Sequence, residues 1–113
     1  MTKGKVVLVP FPFDDLSATK VRPAVCLTNP IGAYRHVVLA FITSRIPSPP
    51  ASSDLVLDDR DADFSTTGLR VSSTLRLHRL MTVTTSVIQR ELGELAPRMQ
   101  TEVNAKLRDL FEL

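Results

Sequence analysis

The sequence predicts a mainly β chain with a C-terminal helix, its strands closed into a small barrel or a tightly coiled antiparallel sheet. Three observations carry this. Short apolar runs, Val6–Val9, Ala24–Leu27 and Val37–Ile42, recur along the first half of the chain. Stretches rich in Pro, Asp, Ser and Thr separate them. Apolar residues at clear helical spacing appear only after Pro97.

The elements follow in order. Val6–Val9 and Ala24–Leu27 are valine-rich runs bounded by turn formers, which read as strands. Pro10 and Pro12 lack an amide donor and suit a strand's edge or end. Asp14, Asp15 and Ser17 favour a turn, through side chains that bond nearby backbone. Pro23 pushes Arg22 toward an extended conformation, so Arg22 enters the second strand at a stiff point. Val37–Ile42 is apolar throughout and reads as a central strand buried on both faces, ending in Thr43-Ser44-Arg45. Ile46 to Ser53 is a loop, and Asp54–Asp58 a short strand. Asp59 to Thr67 forms a second loop that closes on Gly68. Leu69–Leu77 and Leu80–Thr85 read as neighbouring strands meeting near His78 and Arg79, or as one long bent strand. Ser86–Arg90 is either a last strand or a single helical turn. Pro97 suits the first position of a helix. Met99, Val103, Leu107, Leu110 and Phe111 then form its apolar face, behind a poor N-cap, Ala96.

The chain has 113 residues, which fits one domain spanning 1–113. A hydrophobic content of 43% supplies a core without disulfides. The single cysteine, Cys26, allows no internal disulfide, and a cytoplasmic location follows most simply. The first residues, MTKGKVVLVPFPF, are too short and too broken by proline for a signal peptide. No apolar run reaches membrane-spanning length. Net charge is only +2, so the chain is not strongly basic. Yet ten of its 14 basic residues are arginine, whose planar fork suits phosphate better than lysine.

No metal site is expected, and no cofactor. His36, His78 and Cys26 are far apart and in no ligand spacing. Cys26 lies inside an apolar strand and reads as a buried, inert thiol. The four glycines are scattered, so there is no phosphate-cradling loop. No G-x-S-x-G nucleophile motif occurs. What remains is a set of polar residues at strand ends: Arg22, Thr43 with Ser44, and Arg76 with His78 and Arg79. Taken singly each has an ordinary explanation, such as a salt bridge from Arg22 to Asp14 or Asp15. Together, cations and hydroxyls without a metal suit phosphodiester chemistry.

GKVVLVPFPFDD, KVRPAVCLT, AFITS, SDLVLD, TGLRVSSTLRLHRLMTV and RELGEL, in this order and spacing over nearly the whole chain, resemble the MazF/PemK family of bacterial toxins. The FPF-D form is similar to the PemK-like branch. The resemblance implies a small SH3-like barrel (MazF/PemK/CcdB-like), usually a homodimer. It implies a metal-independent endoribonuclease that cuts single-stranded RNA, often messenger RNA, and a cognate antitoxin that inhibits it. Carried over residue by residue, it implies catalytic roles for Arg22, Thr43 and Arg76. Ser44 would line the same groove, and Lys20, Arg79 and His78 would meet the RNA. His78 stands where the family's R-x-D piece has its aspartate, and the Asp14–Lys20 loop is short. Phe11 or Phe13 is placed either to stack a base or to fill the barrel core. The implied reaction is attack by a ribose 2′-hydroxyl on its neighbouring phosphate, with His78 a candidate base. Two rival readings stay open: a non-enzymatic toxin of the same fold that poisons DNA gyrase, and an inert interaction module.

Overall fold

The computed structural model describes residues 1–12 and 19–113. The turn read at Asp14, Asp15 and Ser17, most of the Asp14–Lys20 loop, Phe13 and the side chain of Phe11 lie outside them. Six strands form one antiparallel sheet: β1 (Lys5–Pro12), β2 (Thr19–Cys26), β3 (His36–Thr43), β4 (Asp54–Leu57), β5 (Ser73–Thr84) and β6 (Arg90–Glu94). Their order is β4-β5-β3-β2-β1-β6. One helix, α1 (Pro97–Phe111), closes the described chain. Short 3-10 turns occupy Phe64–Thr67 and Thr85–Val87.

Alternation along the strands sorts the core into two clusters. Val6, Val25, Ala40, Ile42, Leu75 and Leu77 pack with Met99 and Val103 of α1. Val7, Val9, Ala24, Cys26, Leu39 and Phe41 form a second cluster on the other face, with Ile88. A flat sheet with a helix on one side would leave that second face wet. In this curled, half-barrel sheet that face is buried instead, with Ile88 in the cluster and Met1, Met81 and Val83 packed against it.

The prolines sit where the ladders end. β6 pairs β1 only as far as Leu8, so Pro10 and Pro12 lie beyond the end of that ladder. The β2–β3 ladder runs from Cys26↔Leu39 to Ala24↔Phe41 and stops at Pro23, which has no N–H to continue it. Arg22 therefore stands just past the last laddered pair.

The long bent strand is the form that β5 takes. Its partner register jumps from Ala40↔Leu80 to Phe41↔Arg76, so residues 77–79 face no residue of β3. Such a bulge bends a strand and re-aims its side chains. Leu69 to Ser72, read as the start of this strand, are irregular instead. Of the two options for Ser86–Arg90, the helical turn is present, at Thr85–Val87. β6 follows it and was not anticipated: RELGE is mostly polar because it is an exposed edge strand.

Two glycines fix the 64–71 segment against β6. A Cβ on Gly93 would lie 2.2 Å from the Thr66 carbonyl oxygen, and one on Gly68 would lie 2.1 Å from that of Leu92. Backbone meets backbone there, which only glycine permits.

Candidate active site

Strand register decides which polar residues share a face. Arg22 pairs with Val9, and Thr43 pairs with Thr74. Continuing the Ala24↔Phe41 register by two residues sets Arg22 level with Thr43. The adjacent row is Val7, Ala24, Phe41, Arg76 and Asp54. Laterally paired residues point the same way. Arg22, Thr43, Thr74, Arg76 and Asp54 thus fall on one face, that of the second core cluster. Neighbouring strands lie about 5 Å apart, and same-face residues along a strand about 7 Å. Lys20 shares this parity and is exposed one step further out on β2.

Arg76 is held. Its Nε donates to Asp54 Oδ1 at 3.0 Å. The Asp54 carboxylate is 0% exposed, against 28% for the Arg76 side chain. Asp54 Oδ2 also accepts the Ala51 N–H at 2.8 Å, which ties the loop before β4 to the same carboxylate. His78 stands two residues along β5. Its Nδ1 lies 2.9 Å from Ser53 Oγ and 4.0 Å from Asp54 Oδ1. Both of these contacts are made by Nδ1.

Thr43 Oγ1 accepts the Arg45 N–H at 3.2 Å, so its own proton remains available to donate. Beside it, Thr74 Oγ1 is buried with no hydrogen-bond partner among the described residues. An unmatched buried hydroxyl costs stability, and such atoms concentrate at functional sites. Burial pushes the Cys26 thiol up to about 11, which keeps it protonated and inert.

Not all of the sequence-derived residues converge. Arg22, Thr43, Arg76 and His78 share the face. Ser44 has the opposite parity and lines a groove on the other face of the sheet, with Pro23 and Ile42. Arg79 is exposed within the bulge and does not line that groove. Asp54 and Thr74 were missed by sequence reasoning. The only local hint was an aspartate opening a run of buried residues, and what it pairs with is set by strand register alone.

A family model described as PemK-like, MazF-like toxin of type II toxin–antitoxin system matches residues 2–111. Among curated proteins none matches the sequence significantly. Solved structures do match in fold. An endoribonuclease in complex with its cognate antitoxin, from a mycobacterial species, superposes with a TM-score of 0.75 at 15% identity. That match covers 100% of this chain and 96% of the other. The Mycobacterium tuberculosis toxin MazF-mt6 gives 0.71 at 18% identity, covering 96% and 97% of the two chains. MazF from Deinococcus radiodurans gives 0.71 at 20% identity, covering 100% and 97%.

Proposed function

We propose that this chain, which belongs to the PemK-like, MazF-like toxin family of type II toxin–antitoxin systems, is an endoribonuclease that cuts single-stranded RNA, messenger RNA among its targets. The observation that carries this is the shared face of Arg22, Thr43, Arg76 and His78, with Arg76 oriented by buried Asp54.

The proposed reaction begins with the ribose 2′-oxygen attacking the adjacent phosphorus. A P–O2′ bond forms and the P–O5′ bond breaks, leaving a 2′,3′-cyclic phosphate and a 5′-hydroxyl. Charge builds on the non-bridging oxygens as the phosphorane forms. The Arg22 guanidinium is aimed at that charge, and the Thr43 hydroxyl donates to one of the same oxygens. Arg76 adds a second cation whose direction is set before substrate arrives, because Asp54 already holds its Nε. His78 takes the proton of the 2′-hydroxyl through Nε2, with Ser53 holding Nδ1. A water hydrogen-bonded to the Arg22 guanidinium gives its proton to the departing 5′-oxygen, and the hydroxide left behind takes up the proton that His78 removed from the 2′-hydroxyl. Lys20, Ser44 and Arg79 meet flanking phosphates.

The reading requires no metal. Among the described residues, no group of three His, Cys, Asp or Glu is placed to hold one. Cleavage of a long RNA is expected to proceed unchanged in excess EDTA, followed on a denaturing gel. Loss on chelation and return with magnesium or zinc would overturn the mechanism. Intact RNA after incubation with folded protein would overturn the activity itself.

The same proposal includes a cytoplasmic homodimer inhibited by a cognate antitoxin. Tyr34, Val71, Phe111 and Leu113 are exposed large side chains that an interface could cover. Among the described residues no helix is long and apolar enough to cross a membrane. Light scattering at micromolar protein is expected to give twice the chain mass; the mass of a single chain would remove the dimer from the proposal.

A further inference from the structure

Thr74 carries a group that the resting fold does not use. Its side chain is fully buried, and its hydroxyl has no hydrogen-bond partner among the described residues. The other buried polar side chains among those residues are all matched. Asp54 accepts from Arg76 Nε and from the Ala51 N–H. Thr67 Oγ1 donates to the Phe64 carbonyl at 2.7 Å, and Ser73 Oγ to that of Val71 at 2.8 Å. An unmatched buried hydroxyl lowers stability, and valine would suit the same strand position without it.

Strand register limits what this hydroxyl can reach. Thr74 pairs with Thr43 on β3 and with Val56 on β4. Laterally paired side chains stand about 5 Å apart at Cβ, and diagonal ones about 7 Å. Val56 offers no polar atom. Arg76, the same-face neighbour along β5, offers only donors. The Asp54 carboxylate lies on the diagonal and already accepts two bonds. Thr43 Oγ1 is therefore the nearest acceptor. It accepts the Arg45 N–H at 3.2 Å, which fixes the Thr43 side chain, and a hydroxyl oxygen has a second lone pair for another donor. Thr74 reaches it by a χ1 rotation that exchanges its methyl and hydroxyl, groups of similar size.

We propose that Thr74 is a positioning residue for Thr43: when Thr43 donates to a phosphate oxygen, Thr74 turns and donates to Thr43 Oγ1. This rests on the endoribonuclease reading above, in which Thr43 donates to an oxygen that gains charge. A hydroxyl whose proton is drawn away is a stronger acceptor, and each bond in such a chain strengthens the next. Thr74 is buried and never touches the RNA. Its donation holds the Thr43 hydroxyl in one direction and polarises it toward the phosphorane. The hydroxyl left unmatched in the resting protein is matched as charge develops, which favours the transition state over the ground state.

Two substitutions separate this role from packing. Thr74→Val keeps the branched shape and removes the hydroxyl. It is expected to melt about 4 °C above the parent and yet cleave about tenfold more slowly in a single turnover. Thr74→Ser keeps the hydroxyl and loses the methyl. It is expected to melt below the parent and to cleave within about twofold of it. The order of stability is then the reverse of the order of rate, which a packing role does not produce. In a Thr43→Val background, Thr74→Val should cause no further slowing, because its effect passes through the Thr43 hydroxyl. Additive losses of rate would overturn the proposal. So would a Thr74→Val that cleaves like the parent, or one that is less stable than the parent.

A second readout needs no cleavage. The probe is a pool of short mixed-sequence oligonucleotides with 2′-fluoro riboses, which have no 2′-hydroxyl to react. The Thr74 χ1 rotamer is read by NMR from its carbonyl-to-methyl carbon coupling, with Thr101 of α1 as a remote control. At saturation the Thr74 rotamer is expected to change in the parent and to stay as it was in Thr43→Val. An unchanged rotamer in a parent that binds the probe would overturn the proposal. A parent that shows the change but cuts no RNA would sink the nuclease reading and leave the Thr43–Thr74 contact supported. A parent that neither binds the probe nor cuts RNA would sink both.

Discussion

Arg22→Ala is expected to cleave RNA about a hundredfold more slowly than the parent while melting within about 5 °C of it. The two expectations come from different physics. Arg22 is half-buried at the point where the β2–β3 ladder has ended, so no backbone pairing to β3 depends on it. Truncating such a side chain costs about 1 kcal/mol or less. A cation aimed at the developing charge of a phosphorane is worth about 3 kcal/mol of barrier. Arg22→Lys should recover only part of the rate, since one ammonium cannot donate to two phosphate oxygens in parallel. Thr43→Val belongs in the same series: it keeps the shape, removes the hydroxyl and should slow cleavage with little change in melting. The measurement is single-turnover cleavage of a defined RNA alongside a thermal melt. A folded Arg22→Ala that cuts as fast as the parent would show that this face is not where the chemistry occurs.

Asp54→Ala is expected to lose both stability, by about 3 kcal/mol, and most of the cleavage rate. Its carboxylate is fully buried and holds two groups, Arg76 Nε and the Ala51 N–H. Alanine strands both donors. Arg76 is 28% exposed and can turn toward water, which limits the loss of stability but ends its orientation toward the site. Asp54→Asn keeps an acceptor oxygen and should fall between, by about 1 kcal/mol for the lost charge. Arg76→Ala is the sharper case for stability, because it leaves a buried carboxylate without its cation. The double variant Asp54→Ala/Arg76→Ala should therefore be more stable than the sum of the singles predicts. Urea unfolding of the four proteins measures the coupling. Additive losses would mean that the pair contributes nothing beyond its separate side chains.

The residues of the proposed site are partly legible in the sequence, and their arrangement hardly at all. Arg22, Thr43 and Arg76 attract notice because each is polar at the margin of an apolar run, which is visible along the chain. Asp54 is equally central, yet its role depends on meeting Arg76 across 22 residues. Thr74 looks like any strand threonine until its burial opposite Thr43 is known.

The sequence located β1, β3, β4, α1 and the apolar end of β2, because these carry their signal locally, whereas β2 begins at Thr19, inside the stretch that reads as a loop up to Pro23. Valine-rich runs between prolines and turn residues can pack only as short strands, and 3.6-residue spacing after Pro97 can bury one face only as a helix. The tertiary structure alone decided that Leu69–Thr85 yields one strand beginning at Ser73 and bulged at residues 77–79. It alone made a strand of RELGE, which has no apolar pattern and is held by pairing with β1. It also decided that Arg76 meets Asp54 and that Arg98 meets Asp61. Periodicity reports what one segment needs to bury; register and close backbone contact are properties of two segments at once, and no single run of residues contains them.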